Sequence, residues 1–209
     1  MRIKRLLILG KASELPHPFI EEVEWLVSQN HELVLENIER LEKAEFSRLY
    51  SEMPNAPELD SELAYAASMA DDLGNAANQL ALVSLVTRLQ HSNNVFVKDV
   101  GGDNENTGLV PNLRILNRRL GESPIAITFF ADLVSVRDSV IHADSKAEWT
   151  YNGKTRRVPE RYANVVTGEV NFRESDLREA IEVSIRQVKW YDERLDESES
   201  RSNEPLLER

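Results

Sequence analysis

Apolar positions recur with helical spacing over most of the chain, and the recurrence breaks in few places. The first predicted helix covers residues 18–50, opening near Pro18 with Glu21, Glu22 and Glu24 in its first turns. Its apolar face passes from Ile20, Val23, Leu26 and Val27 to Leu33, Leu35, Ile38, Leu41 and Phe46. The polar run from Ser28 to His31 marks a break or kink, and His31 reads as a surface residue. Pro54 and Pro57 make residues 53–57 a linker. A long helix follows over residues 58–90. Leu63, Ala66, Ala70, Leu73, Ala77 and Leu80 share one face, continued by Val83, Val86 and Leu89, and the alanines admit close helix approach. Residues 97–108 read as a loop, because glycine and Asn/Asp cluster there. Residues 112–120 form a short basic helix carrying Arg114, Arg118 and Arg119 and ended by Gly121. Ser123 and Pro124 then supply a cap and a first-turn proline for a helix over residues 124–144.

Beyond residue 148 the period changes from helical to alternating. Asn152-Gly153, flanked by Trp149, Thr150, Tyr151 and Thr155, is a hairpin signal. Residues 165–172 read as a second turn between short strands. A last helix over residues 176–195 presents Leu177, Ile181, Ile185, Val188 and Trp190 to the body. Residues 196–209, rich in Glu, Ser and Arg, read as a disordered acidic tail. The fold class expected is therefore mainly α: an up-and-down bundle of four to five helices forming one domain over residues 1–195. A small β-hairpin insertion over residues 149–172 follows the helix that ends near residue 144.

Composition supports one core and narrows the chemistry. The chain has 209 residues, 41% of them hydrophobic, and no cysteine, which removes disulfide and thiolate chemistry. The apolar run from Leu6 to Leu9 is too short for a signal-peptide core or a membrane span. It reads as a short strand or packed terminal segment of a cytoplasmic protein without a membrane-spanning part. The net charge of −11 is unevenly spread: residues 111–161 hold nine basic and six acidic groups, whereas both flanking regions are acidic. A local basic cleft on an acidic body suits an enzyme that touches few phosphates. Charges that merely offset their neighbours would give the same count. No repeat, metal-ligand spacing or nucleophile triad is present, and no cofactor is called for.

The candidate chemistry lies at the end of the helix over residues 124–144. At 100° per residue, Ile127, Phe130, Val134 and Ile141 share a face with Arg137 and Asp138, while Ile125, Phe129, Leu133, Val136 and Val140 lie roughly opposite. Thr128, Ala131, Ser135 and Ser139 fill a narrow strip between the two stripes. His142 follows Asp138 by four residues, so the carboxylate is placed to hold the imidazole's orientation. A charged pair and a histidine on an apolar face call for a partner, a ligand or a catalytic role.

Arg137-x4-His142, with a polar residue directly after the arginine near the end of a buried helix, resembles the HEPN superfamily of helical domains. The resemblance covers about residues 57–195. It implies a metal-independent endoribonuclease of a toxin–antitoxin or antiviral defence system, acting as a homodimer through the motif helix. In that family the arginine and histidine of two subunits meet in a cleft at the dimer seam. It implies that the ribose 2′-hydroxyl attacks the adjacent phosphorus and leaves a 2′,3′-cyclic phosphate. His142 is then general base or acid, Arg137 binds the scissile phosphate, and Asp138 orients His142. Arg156, Arg157 and Arg161, close behind His142 in sequence, are the candidate contacts to substrate phosphates; on an exposed ribbon they would equally serve to keep its edge solvated. Partners implied are RNA, a second copy, and an antitoxin or defence-system protein.

Two features depart from the family pattern. The subfamily paired with nucleotidyltransferase antitoxins carries a tyrosine two residues after the histidine, where this chain has Asp144. Arg137 and His142 stand about 140° apart on an ideal helix, so a helix end, a distortion or a second subunit must bring them together. Two other readings compete: a non-catalytic HEPN-like dimeric module binding RNA, a nucleotide or a protein, and a structural helical protein whose Arg–Asp–His cluster satisfies itself.

Overall fold

The structure is a computed structural model that describes residues 18–25, 31–102 and 108–202. Six α-helices and one two-stranded ribbon lie among them: α1 (Pro18–Trp25), α2 (Glu32–Glu52), α3 (Leu59–Asp99), α4 (Leu109–Leu120), α5 (Ile127–His142), β1 (Glu148–Tyr151), β2 (Lys154–Arg157) and α6 (Glu174–Ser202). This is the mainly helical bundle with a β-hairpin after the motif helix that the hydrophobic pattern implies. The apolar run at 6–9, residues 28–30 of the expected break, 103–107 of the glycine loop and 203–209 of the tail lie outside the described residues.

The 41-residue α3 is the spine, and its two halves differ. From Asn78 onward, Leu82, Leu85, Val86, Leu89, Phe96 and Val97 are buried against Leu113 and Leu116 of α4, Phe130, Leu133 and Val136 of α5, and Leu177, Ile181, Val188 and Tyr191 of α6. Phe19 and Val23 of α1 join the same core. Its first half packs chiefly along α2, forming a two-helix arm that Asn75 ties to the insertion and on which Leu73 is exposed, as is Leu80 just beyond it. The expected face through Leu63, Ala70, Leu73 and Leu80 is thus half right: its small residues lie along α2, but its leucines at 73 and 80 face outward.

α3 also runs nine residues past the expected stop at Gln90. The polar run from His91 to Asn94, just beyond that expected stop, is partly a seam with α4. Asn93 is buried and its amide donates to the Leu89 carbonyl at 2.7 Å, while Asn112 of α4 donates to the Asn94 side-chain oxygen. Gly101, at φ 70°, ends the helix, with the Gly102 amide donating to the Val97 carbonyl at 2.8 Å.

His31 corrects its reading as a surface residue. It is 2% exposed, and its Nε2 lies 2.6 Å from Oδ1 of Asn78. α6 corrects the tail, continuing to Ser202 where composition favours disorder from residue 196. The turn over residues 165–172 forms isolated bridges, Lys146 to Glu169 and Ala163 to Val170, rather than strands.

Polar side chains on α3 fasten this insertion to the bundle. Asn75 Nδ2 and Gln79 Nε2 both donate to the Val170 carbonyl at 3.0 Å, and the Phe172 amide donates to Asn75 Oδ1 at 2.8 Å. Ser145 Oγ donates to Gln79 Oε1 at 2.6 Å. Trp149, Val158, Tyr162, Val170 and Phe172 complete the core from the insertion side.

Candidate functional site

α5 begins at Ile127, three residues later than its Ser-Pro signal. Ser123 Oγ instead accepts the Ile125 amide at 3.1 Å and donates to Gln187 Oε1 of α6 at 2.7 Å, so this dipeptide ties two helices together. The buried line of α5 is Phe130, Leu133, Val136 and Ser139. It cuts across both expected stripes: Ser139, expected in a polar strip, is fully buried, and Ile141 is 52% exposed.

The end of α5 is held tightly. The Ala143 and Ser145 amides donate to the Ser139 carbonyl at 2.9 and 3.3 Å, and Ser139 Oγ donates to the Lys146 carbonyl at 2.7 Å. Asp144 and Ser145, at φ 50° and 59°, turn the chain back along the helix into β1. Asn152 and Gly153, at φ 49° and 72°, then make the tight turn that the Asn-Gly signal implies. β1 and β2 pair antiparallel, with Trp149 opposite Arg156 and Tyr151 opposite Lys154. Trp149 is buried in the core, which turns the face it shares with Tyr151 and Arg156 toward α5.

That face meets the motif. Asp138 Oδ1 accepts from Arg137 Nε at 2.9 Å and Nη2 at 2.7 Å, and Asp138 Oδ2 accepts from Arg156 Nη1 at 3.3 Å. The Asp138 side chain is 17% exposed and that of Arg137 21%, so solvent screens this network only partly. One turn later His142 lies against Tyr151, ring centroids 5.2 Å apart and planes 28° from parallel. Arg156 closes the cluster with its Cζ 5.1 Å from the Tyr151 ring centre.

The sequence-derived residues are therefore sorted by the fold. Arg137, Asp138, His142 and Arg156 come together. Asp138 does not orient His142: among the described residues its carboxylate serves the two arginines, and the imidazole's partner is Tyr151. Arg157 faces away and pairs with its cross-strand neighbour Glu148 at 2.5 Å. Arg161 packs over Tyr162 and Phe129 at 4.3 and 5.4 Å and reaches Glu179 of α6 at 3.4 Å. Tyr151 was missed as a site residue. The hairpin signal could have found it, since two-residue alternation puts it on the face of Trp149.

A cavity of about 580 Å³ lies elsewhere, between α2, α3 and residues 164–174. Glu39, Glu42, Asp71, Asp72, Glu169 and Glu174 line it with Arg173, a field that repels phosphate. Asp71 and Asp72 therefore face that cleft. Among the described residues no group of three or more His, Asp or Glu side chains could hold a metal ion, and no helix is long and apolar enough to cross a membrane. No family model, curated protein or solved structure matches the chain.

Proposed function

We propose that the Arg137–His142 surface is the active site of a metal-independent endoribonuclease of HEPN type, cytoplasmic and serving a toxin–antitoxin or antiviral defence system. One observation carries the reading: two guanidinium groups and an exposed imidazole come together on one surface, against a single carboxylate. Guanidinium groups bind phosphate with paired, charge-assisted hydrogen bonds. Imidazole exchanges protons near neutral pH. In the reaction the 2′-oxygen bonds to phosphorus and the bond to the 5′-oxygen breaks. The proton leaves the 2′-hydroxyl for a base, and another reaches the departing 5′-oxygen. His142 serves as base or acid, and Arg137 with Arg156 offsets the charge gathering on the non-bridging oxygens. Ile141, exposed beside His142, supports pairing of two copies through α5.

The test is cleavage of mixed RNA by the purified chain in EDTA, beside Arg137→Ala and His142→Ala. Loss in both variants with cyclic-phosphate ends from the parent supports the reading, and activity surviving both removes it. A second reading rests on Arg137 itself, whose Nε and one Nη are already committed to Asp138. With that guanidinium occupied, the surface is that of a non-catalytic dimeric module binding RNA, a nucleotide or a protein. RNA binding without cleavage by a folded dimer selects it.

A further inference from the structure

The arm made by α2 and the first half of α3 buries almost nothing of its own: Leu49 is the one buried residue of α2, and the buried stretch of α3 begins at Asn78. Along one side of it runs a groove of about 280 Å³ lined by Ile38, Leu41, Ala66, Met69, Ala70 and Leu73. Leu41 is 63% exposed, Met69 48% and Leu73 52%, and Tyr65 beside them is 63% exposed. Four large apolar side chains together, open to water, are a surface that lacks its cover.

The charge around the groove says what covers it. Glu42, Glu45 and Glu62 line it as well. Between Arg48 and Arg88 the chain has no Lys, Arg or His, but six acids. The three bases of α2 are Arg40, Lys43 and Arg48; Lys43 pairs with Glu39, and Arg48 pairs with Glu45 and Glu52. Two such arms brought face to face would repel, so a second copy of this chain fits poorly. We propose that the groove between α2 and α3 docks a cationic amphipathic helix of a partner protein. Its apolar stripe would lie over Leu41, Met69 and Leu73, and its lysines or arginines would meet Glu42 and Glu62. The small side chains of Ala66 and Ala70 let a third helix approach closely.

This surface is independent of the Arg137–His142 site, and so is its test. The probe is a synthetic peptide of about two heptads, leucine at the core positions and lysine beside them. It is titrated against the full-length chain and followed by anisotropy and by the methionine methyl resonances. The chain has three methionines, and only Met69 lines the groove. The expected result is saturable binding that shifts the Met69 methyl and leaves Met53 unmoved. Binding should weaken about tenfold or more in Met69→Lys/Leu73→Lys, and persist in His142→Ala. A scrambled peptide of equal charge should bind much more weakly. Equal binding of the two peptides, or an unmoved Met69 methyl, overturns the proposal. So does a dimer of the protein alone that the double substitution splits, which would make a second copy the occupant. Both substituted residues are exposed, so the variant keeps its fold, and the Met69 shift is read on the unaltered chain.

Discussion

The ring of Tyr151 lies against the imidazole of His142, 5.2 Å between centroids and 28° from coplanar. The histidine's helix supplies its backbone position, but its ring is placed by a residue of the hairpin that folds back over it. Tyr151→Phe keeps the flat partner and Tyr151→Ala removes it. On the ribonuclease reading, Tyr151→Ala lowers cleavage by about 10- to 100-fold, because the imidazole loses its fixed aim, and Tyr151→Phe stays near the parent. The His142 ring-proton shifts, moved by the alanine and spared by phenylalanine, check the stacking whatever the activity.

Asp138 is shared by Arg137 and Arg156, so neutralising it frees positive charge. Asp138→Asn should tighten RNA binding by about three- to tenfold at low salt, with the gain shrinking as ionic strength rises. Stability should fall by about 1 kcal/mol, since each guanidinium trades a charged acceptor for a neutral one or none. Filter binding across a salt series and urea denaturation measure the two effects. Because Asp138 does not hold His142, cleavage should survive this change.

Two buried tyrosines make opposite cases. Tyr191 Oη donates to Asn117 Oδ1 at 2.8 Å, whereas the buried Tyr162 hydroxyl has no hydrogen-bond partner among the described residues. Tyr191→Phe should cost about 1–2 kcal/mol, and Tyr162→Phe should be neutral or slightly stabilising, because it removes an unpaid desolvation penalty. Burial raises the pKa of both phenols well above the ordinary range; for Tyr162 the Arg161 charge opposes the shift, and for Tyr191 the neighbouring Gln187 side chain does. A pKa raised on folding adds stability that is complete below the unfolded phenol value of about 10 and is lost as pH climbs above it. Absorbance titration should show two of the five tyrosines ionising only as the protein unfolds in alkali.

Gly153 carries the turn of the hairpin at φ 72°. Gly153→Val places a β-branched side chain in that left-handed conformation at a cost of about 1–2 kcal/mol. The loss should fall on the ribbon first, loosening Tyr151 and Arg156 together. Thermal unfolding and the His142–Tyr151 nuclear Overhauser contact report it.

What the sequence made legible follows from how local each signal is. The hairpin is set by Asn152-Gly153 and the helices by their period; the hairpin turn is found where expected, and the helices are found with different ends. The Arg137–Asp138–His142 cluster was visible as polarity on an apolar helix. Which residue would hold the histidine was not, because Asp138 could turn to Arg137, to Arg156 or to His142. Only the packing of Trp149 decides which side of the ribbon faces α5. The extent of α3 was hidden for a related reason. Asn93 and Asn94 look like an end until α4 supplies Asn112 to one of them. His31 similarly gains its partner Asn78 from 47 positions away.

α3 is one unbroken helix whose ends sit in different surroundings. After Asn78 one side of it is buried in the bundle, while the turns before Asn75 have chiefly α2 for cover. Detaching α2 from the arm would expose the first half of α3 without disturbing the core. Amide hydrogen exchange should therefore show a step near Asn78: residues 59–77 exchanging through partial opening, and residues 82–97 only when the whole molecule unfolds. A continuous helix would then contain two separately melting units.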